Sequence, residues 1–214
     1  MSKVIYRPLE KRDYPDIMEM IDNAWTLDKY AHNPKSKDHM LKAFMHGSMI
    51  LQNYTQIAEL DGKAVGLLFG KVPKLKGYIK NAGHVPVALY HVLCLNFGKA
   101  NRRVLMGMSN VQKSWARLRD DAGIPFDAEL EFFIVHENSR GHGVGKTLLN
   151  NYLEFCAKNG VKTLYLYTDD NCNFGFYDHN GFRRAGSAPV CVELPGGKME
   201  YNNYLYVRTV SPAD

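Results

Sequence analysis

Three glycines alternate with other residues in the segment Arg140-Gly141-His142-Gly143-Val144-Gly145, and Lys146-Thr147 follow it. The hydrophobic run 130–135 precedes this segment, and residues 146–158 have the periodicity of a helix. Glycine lets the backbone approach a ligand closely, and a helix N-terminus presents unpaired N–H groups and a partial positive charge. This order of strand, glycine-rich turn and helix predicts a site for a phosphate group.

Two well-known phosphate-binding motifs fit this turn poorly. The P-loop requires a glycine five residues before the Gly of Gly-Lys-Thr, and Arg140 occupies that position. The dinucleotide fingerprint G-x-G-x-x-G would need a third glycine where Lys146 stands. A P-loop protein therefore stays a minor alternative. A connecting turn that binds nothing is another, although such a turn does not need glycines that each cost roughly 0.5–1 kcal/mol where the chain is helical.

The turn fits the pattern R/Q-x-x-G-x-G/A, and with it the chain resembles the GNAT superfamily of acyl-CoA-dependent N-acyltransferases. Phe133-Ile134-Val135 looks like the end of that family's splayed fourth strand. Residues 176–182, Phe-Tyr-Asp-His-Asn-Gly-Phe, are similar to its F/L-Y-x-x-x-G-F segment. The likeness is strongest over residues 128–182, and it implies acetyl-CoA as the acyl donor.

The resemblance implies a role for each part of these motifs. The turn would hold the pyrophosphate of acetyl-CoA through Arg140, Gly141, His142, Gly143, Val144, Gly145 and Lys146. The backbone of Phe133 and Val135, with Ile134 between them, would pair with the pantetheine arm and donate an N–H to the thioester oxygen. Many family members have an asparagine seven residues before the tyrosine of the second segment. That position is Asp170 here, so Asn171 is the candidate for this contact.

Acetyl transfer to an amine also needs an acid and a base. Tyr177 matches the family's tyrosine near the CoA sulfur, and a phenol with a pKa near 10 can protonate a departing thiolate. Its alternative role is that of a core tyrosine. Glu129 lies where some family members carry a glutamate base, and Glu131 is a second candidate, because residues 129, 131, 133 and 135 of a regular strand share one face. Both carboxylates could instead bind a cationic substrate.

Composition indicates an ordinary globular protein: 214 residues, 45% of them hydrophobic and 23% charged. The net charge of +5 helps to attract a phosphorylated ligand and is too small to argue for nucleic acid. No apolar stretch approaches the roughly 20 residues that span a bilayer, and the N-terminus lacks the apolar core of a signal peptide. The four cysteines have no metal-site spacing. We expect reduced thiols, no metal and a cytoplasmic location.

Periodicity and turn residues predict an α/β protein. Strands are expected near residues 3–6, 56–59, 65–72, 128–135, 163–167, 182–194 and 199–210, and helices near 13–25, 37–46, 146–158 and 174–179. Asp61-Gly62 predicts a hairpin turn. Asp13 is expected to cap the first helix, and Pro34 to interrupt the chain. The element order predicts a mixed sheet with helices on both faces, and the resemblance makes it a mostly antiparallel, GNAT-like sheet of six to seven strands.

The segment from about 73 to 125 is longer than the family's usual link between the third and fourth strands. It contains two helical patterns, at 84–97 and 106–119. We expect one domain over residues 1–214, with this segment as a largely helical insertion packed on it. Together with residues 25–46, the insertion should build the acceptor site and contribute Trp25, Tyr30, Tyr78 and Tyr90.

We therefore expect an N-acetyltransferase that transfers an acetyl group from acetyl-CoA to a primary amine by direct attack in a ternary complex. The lysine-rich acceptor regions favour a small-molecule amine over a polycation, which would need a dense carboxylate surface. We expect no nucleic-acid or membrane partner, and a monomer or homodimer. The alternative from another class is a non-catalytic acyl-CoA-binding or sensor module of the same fold.

Overall fold

A computed structural model describes residues 3–75, 81–96, 99–194 and 197–211, with the side chains of all of these except 99–105. The described strands form one seven-stranded sheet in the order β1-β2-β3-β4-β5-β7-β6. They are β1 (Ile5–Arg7), β2 (Tyr54–Leu60), β3 (Lys63–Lys71), β4 (Ala128–Val135), β5 (Thr163–Asp169), β6 (Arg183–Leu194) and β7 (Gly197–Thr209). The helices are α1 (Tyr14–Trp25), α2 (Pro34–Ile50), α3 (His84–Asn96), α4 (Lys99–Ala122), α5 (Val144–Lys158) and α6 (Gly175–His179).

The sheet is antiparallel at every pair of neighbouring strands except β4 and β5, which run parallel. Helix α5 covers one face, where Leu148, Leu149 and Tyr152 are buried against β4, β5 and β7. Helices α1 and α2 cover the other face over β2, β3 and β4, and α4 continues that layer over β5 and β7. The predicted mixed, mostly antiparallel sheet with helices on both faces is confirmed.

Local turn chemistry is confirmed at one position and corrected at two. Asp61 and Gly62 have φ angles of 51° and 82°, as a tight hairpin turn requires. Pro34 does not interrupt the chain: it is the first residue of α2, and Asn33 caps that helix by accepting a hydrogen bond from the Ser36 N–H at 2.9 Å. Asp13 makes no side-chain cap on α1, because its carboxylate binds the Arg7 guanidinium and the Glu10 N–H.

The insertion contributes α3 and α4. Helix α3 packs on α2, where His39 and His91 meet at 2.8 Å between their Nδ1 atoms, as do His46 and His84. Helix α4 starts earlier and ends later than predicted and lies along β6 and β7. Within the described residues, no helix is long and apolar enough to cross a membrane. The predicted helix end at Phe97 and the hairpin tip at Pro195-Gly196 lie outside the described residues.

Candidate active site

Strands β4 and β5 are paired only at their beginnings. Ala128 lies opposite Leu164 and Glu129 opposite Tyr165, and no pairing between them continues from there in the described residues. The strands separate and leave an opening in the middle of the sheet, which we call the split. The N–H of His136 donates to Val65 on β3 at 2.9 Å. Because backbone polar groups alternate in direction along an antiparallel strand, those of residues 133 and 135 face the split.

A β-bulge in β4 determines which of its side chains point towards α5 and which point to the opposite face of the sheet. Phe132 pairs with Phe69 but Leu130 pairs with Gly70, so the extra residue is Glu131. Leu130 lies in the core under α5, and the half-buried side chains at 133 and 135 pack against that same core, whereas Phe132 lies in the core under α1 and α2. The prediction that residues 129, 131, 133 and 135 share one face is therefore wrong, because the bulge reverses the alternation.

The two glutamates of β4 point away from α5. The Glu129 carboxylate accepts a hydrogen bond from the Tyr165 hydroxyl at 2.7 Å, and Tyr165 is buried against α4. Glu131 is influenced by the charges of Glu129 and of Lys71, the cross-strand partner of Glu129. We call this side of the split the α4 side, and the opposite one the α5 side.

Tyr152 of α5 supports the base of the split. Its fully buried hydroxyl donates a hydrogen bond to the carbonyl oxygen of Glu129 at 2.8 Å. Its ring lies directly over Gly70, and a Cβ atom at that position would overlap the ring atoms. Gly70 is also the residue of β3 next to the bulge. The close approach of ring and backbone therefore lies at the same place as the bulge at Glu131.

The glycine-rich turn lies at the α5 side. Gly141 and Gly143 have φ angles of 79° and 75°, in the left-handed region that favours glycine. Helix α5 begins at Val144, two residues before the predicted start, and its first internal hydrogen bond runs from the Thr147 N–H to the Gly143 carbonyl at 2.9 Å. The N–H groups of residues 141–146 have no acceptor among the described residues. They form the anion-binding end of a helix.

The turn is packed directly on β4 and α6. A Cβ atom at Gly145 would lie 3.4 Å from the Phe133 ring, 3.5 Å from Val135 and 3.7 Å from the Phe176 ring, which is ordinary van der Waals contact with all three. The Arg140 guanidinium donates to the Val135 carbonyl at 3.3 Å. The side chains of residues 140, 142 and 146 in and beside the turn are exposed.

Tyr177 of α6 lies near the split on the α5 side. Its ring packs on Phe182 and Tyr206 with centroid distances of 5.6 and 6.0 Å. Burial raises the pKa of the Tyr177 hydroxyl well above its ordinary value, and the neighbouring Cys172 adds to this. Burial also raises the pKa of the Cys172 thiol to about 11. The phenol and the thiol are therefore both protonated at neutral pH, and the hydroxyl has no hydrogen-bond partner in the described part of the chain.

Glu131 differs from Glu129 in two respects. Its Oε2 atom is buried and has no hydrogen-bond partner among the residues described. Burial, together with the charge of Glu129, raises the pKa of Glu131 to about 7, although Lys71 acts in the opposite direction. A carboxyl group with a pKa near neutrality can exchange a proton at working pH, which is the property of a general base.

Helix α4 adds an aromatic wall to the α4 side. The Trp115 ring stacks on Tyr167 of β5, with centroids 5.1 Å apart and planes 9° from parallel. The Tyr167 hydroxyl donates to the Trp115 carbonyl at 2.9 Å, and Arg119 is hydrogen-bonded to Tyr165. The Trp115 Nε1 atom is buried and lacks a partner in the described structure. The sequence indicated Trp115 only as an apolar residue of a helix, because its partner Tyr167 is 52 residues away.

A model of the acetyltransferase (GNAT) family matches residues 15–182, which is most of the chain. The chain belongs to the GNAT family. A search of curated proteins found no match. Solved structures share the fold: an N-acetyltransferase from Staphylococcus aureus Mu50 (TM-score 0.56, 14% identity, 98% of this chain and 100% of that chain covered) and the ribosomal-protein-S18-alanine N-acetyltransferase from Escherichia coli (0.54, 13%, 99% and 97%). A GCN5-related N-acetyltransferase from Kribbella flavida has a TM-score of 0.52 at 17% identity, over 96% and 97%.

Family membership supports acyl transfer as the general activity of this GNAT protein. At 13–17% identity the solved structures are evidence of the fold alone, so the roles of single residues depend on the geometry. Where many family members have an asparagine, Asp170 accepts hydrogen bonds from Asn202 and from the Tyr204 hydroxyl. Asp170 therefore ties β5 to β7. The side chain of the adjacent Asn171 is exposed.

The residues predicted to build the acceptor site are spread over the molecule. Trp25 stacks on Phe132 at 5.6 Å and belongs to the core. Tyr30 crosses to the β6–β7 hairpin, where its hydroxyl approaches the Met199 sulfur at 3.9 Å. Tyr90 is exposed on α3, and Tyr78 lies outside the described residues. Trp115, which the sequence did not single out, forms the wall together with Tyr167.

A cavity on the α1 side of β4 opens next to Arg140. It is lined by Met20, Asn23, Ala24, Ile134, Val135, His136, Glu137 and Arg140. The His136 Nδ1 atom accepts the Asn138 N–H at 3.2 Å, so this ring stabilises the loop after β4. Among the described residues, no group of three or more His, Cys, Asp or Glu side chains is arranged to hold a metal ion.

Proposed function

We propose that this GNAT protein is an acetyl-CoA-dependent N-acetyltransferase that acetylates a primary amine by direct attack within a ternary complex. One observation carries the proposal: β4 and β5 separate after Glu129 and Tyr165, and functional groups from both faces of the sheet border the split. The α5 side offers the glycine-rich turn and Tyr177, and the α4 side offers the carboxylates of β4. A donor and an acceptor could therefore approach the same point from opposite sides.

The α5 side fits acetyl-CoA. The free N–H groups of residues 141–146 and the exposed Arg140 and Lys146 side chains suit a pyrophosphate. The backbone groups of residues 133 and 135 that face the split can pair with the amides of the pantetheine arm, as an added strand would. One of their N–H groups is placed to polarise the thioester oxygen. Asn171 is the proposed side-chain contact to that arm.

Glu131 is our proposed base, in preference to Glu129. The Glu129 carboxylate is engaged by the Tyr165 hydroxyl, and its carbonyl by the Tyr152 hydroxyl. Glu131 has a free, buried oxygen and a pKa of about 7. At neutral pH about half of its carboxyl groups are ionised, so it can take a proton from an ammonium or from a water between them. Glu129 then raises the pKa of the base through its charge.

Tyr177 is our proposed acid. Its raised pKa makes it a weak proton donor to a thiolate in water, but the surroundings also affect the leaving group. Burial, which raises the pKa of the neighbouring Cys172 thiol to about 11, would also disfavour the charged form of a departing CoA thiolate and make it more basic. The proton affinities of phenol and leaving group are thereby brought closer together, as efficient transfer requires.

The acetyl transfer consists of one bond formed, one bond broken and two proton transfers. The neutral amine nitrogen attacks the thioester carbonyl carbon, and a C–N bond forms while the oxygen becomes an oxyanion held by a β4 N–H. The C–S bond then breaks. Glu131 accepts the proton lost by the amine, and Tyr177 gives a proton to the sulfur. The products are an N-acetylated amine and free CoA.

The remaining expectations are part of this proposal. They are a small-molecule amine as partner, no nucleic acid or membrane, a monomer or homodimer, and action in the cytoplasm. The modest net charge of +5 and the four free cysteines are in keeping with them. A non-catalytic acyl-CoA-binding module is the main alternative. A P-loop protein is disfavoured by the family match and by the mostly antiparallel sheet.

The test combines binding and turnover. Acetyl-CoA should raise the melting temperature of the protein and ATP should not. Release of free CoA should depend on an added primary amine, and Tyr177→Phe and Glu131→Gln should each lower kcat/KM while still binding acetyl-CoA. Binding of acetyl-CoA with no acetylation across a broad amine panel would favour the non-catalytic module. Stabilisation by ATP in place of acetyl-CoA would refute the proposal.

A further inference from the structure

Two buried polar atoms on the α4 side lack hydrogen-bond partners among the described residues. They are the Trp115 Nε1 atom, a donor, and the Glu131 Oε2 atom, an acceptor. Nearly all buried polar groups in native proteins are paired, and an unpaired one costs free energy unless a ligand or water completes it. A ligand that carries both an acceptor and a donor would provide a partner for each of these two atoms.

The sheet brings the two residues that carry these atoms to the same part of the split. Glu129 lies directly opposite Tyr165 in the parallel pair of strands. Glu131 and Tyr167 each lie two residues beyond this pair, on β4 and β5 respectively, so both lie at the point where the two strands separate. Trp115 is stacked on Tyr167. The indole and the carboxylate therefore flank the split from its two edges.

Trp115 is held in place by its surroundings. The Tyr167 hydroxyl binds its carbonyl at 2.9 Å, and the buried Asn203 side chain donates to the hydroxyl of Ser114 at 3.2 Å. Leu118, one turn further on, is buried between β5 and β7. Helix α4 is thus fixed on both sides of the ring, so the indole N–H direction is preset before any ligand arrives.

We propose that Trp115 selects the amine that this enzyme acetylates: its indole N–H donates a hydrogen bond to a carbonyl oxygen of the acceptor, while Glu131 accepts one from the reacting amino group. The acceptor is then an amine that carries a carbonyl group, as an amino-acid amide does. A simple alkylamine has donors only and leaves the indole N–H unpaired. This inference rests on the proposed function, in which Glu131 is the base.

The charged groups around the split act in opposite directions on an acceptor that carries a carboxylate. Glu129 would repel a free carboxylate, whereas Lys71 and Arg119 would attract one. A neutral amide and a carboxylate share the acceptor oxygen that the indole requires. Comparing an amide with a carboxylate therefore shows which group supplies the oxygen that the indole binds. An amine without oxygen tests whether that oxygen is needed at all.

The experiment uses three matched amines: phenylalaninamide, phenylalanine and 2-phenylethylamine. Their phenyl group suits the aromatic wall, and only the last lacks a carbonyl. With the wild-type protein, kcat/KM for the better carbonyl compound should exceed that for 2-phenylethylamine by about 10- to 100-fold, the effect of leaving one buried donor unpaired. Trp115→Phe keeps a ring on Tyr167 but removes the N–H, so it should abolish this preference and bring the ratio of kcat/KM between the carbonyl compounds and 2-phenylethylamine close to one.

Trp25→Phe is the matched control, because it makes the same change at a tryptophan of the core under α1 and α2 and should leave the ratio between amines intact. Equal wild-type rates for all three amines, or an equal loss for all three in Trp115→Phe, would overturn the inference and leave the proposed function standing. If no amine is acetylated, the proposed function fails. Calorimetric binding of the three amines to the CoA-saturated protein then decides: weaker binding of the carbonyl compounds in Trp115→Phe supports the selectivity, and unchanged binding refutes it.

Discussion

The two sides of the split differ in the kind of groups that form them: mostly backbone on the α5 side and side chains on the α4 side. The α5 side comes from one continuous segment, residues 133–182, and its features are mostly backbone: two left-handed glycines, a row of free N–H groups and the open edge of β4. The α4 side combines side chains from three separate segments, Glu131, Trp115 and Tyr167. A backbone site tolerates changes of side chain except at its glycines, whereas a side-chain site depends on each residue it uses.

This contrast separates the parts of the reaction. A donor that is common to a whole family can be recognised by backbone geometry, which survives sequence change. The acceptor must be distinguished from other amines, and distinction requires particular side chains with particular partners. The insertion supplies Trp115 to the α4 side and leaves the glycine-rich turn untouched. Variants on the two sides should therefore affect different kinetic constants.

The largest expected effect is at Glu131. Glu131→Gln should lower kcat/KM by about 10²- to 10⁴-fold, the usual contribution of a general base. A base works when ionised, so wild-type activity should rise with pH through about 7, the pKa of Glu131, and then level off. The variant should lose this rising limb. Initial rates between pH 5.5 and 9 measure both effects.

Glu129→Gln is the matched control for this prediction. The charge of Glu129 helps to raise the pKa of Glu131, so its removal should move the rising limb to lower pH and retain most of the plateau activity. The opposite pattern, with Glu129→Gln nearly inactive and Glu131→Gln only mildly impaired, would assign the base to Glu129.

The second-largest effect is expected at Gly70, at the base of the split where its two sides meet. Gly70→Ala places a methyl group in the fully buried ring of Tyr152, so it should reduce the free energy of unfolding by about 1–3 kcal/mol or more, as overpacking does. Urea denaturation measures this loss. Gly47→Ala is the control: a methyl group there meets no atom within 4 Å, and within helix α2 it should be neutral or stabilising. Equal behaviour of the two variants would mean that the ring of Tyr152 is free to move.

A smaller effect is expected on the α5 side. Gly143→Ala forces an L residue into a left-handed conformation, which costs about 1–2 kcal/mol, and should raise the KM for acetyl-CoA while leaving the KM for the amine unchanged. Gly123→Ala is matched, since Gly123 also has a positive φ of 60° and no atom near its Cβ position. It should lose similar stability without any change in KM. A rise of the amine KM in Gly143→Ala would show that the two sides are not separate.

The same contrast explains how much could be predicted from the sequence. The glycine-rich turn, its strand and Tyr177 were recognisable because they are contiguous and because glycine has few substitutes in left-handed turns. The start of α2 is also encoded locally, in Asn33-Pro34, where the proline follows a capping residue and begins the helix instead of breaking the chain. Local chemistry of this kind needs no knowledge of the rest of the fold.

The α4 side was not predictable in this way. The face of Glu129 and Glu131 depends on a bulge, and that bulge lies where Tyr152 approaches Gly70, two residues far apart in the chain. The importance of Trp115 depends on Tyr167, to which only the folded sheet brings it. Periodicity identifies such residues as apolar positions of a helix or strand, and it carries no information about which partner they meet.

The smallest expected effect concerns the outer attachment of the insertion. Burial lowers the pKa of His46, His84 and His91, and neighbouring charges lower each of them further. The unfolded chain therefore binds more protons than the folded one below the ordinary histidine pKa of about 6.5. The contribution of these pairs should be complete above that pH and should decrease as the pH falls below it.

Each pair joins two Nδ1 atoms at 2.8 Å, so one ring must donate and the other accept, and a pair with both rings protonated loses the bond. A hydrogen bond of this kind contributes about 0.5–1.5 kcal/mol. His84→Gln should therefore flatten the fall in unfolding free energy between pH 7.5 and 5, measured in urea, relative to the wild type. The exposed His32 gives the control, because His32→Gln removes a histidine outside the pairs. An unchanged slope in His84→Gln would mean that the α2–α3 contact, unlike the carboxylate chemistry of the α4 side, does not respond to protons.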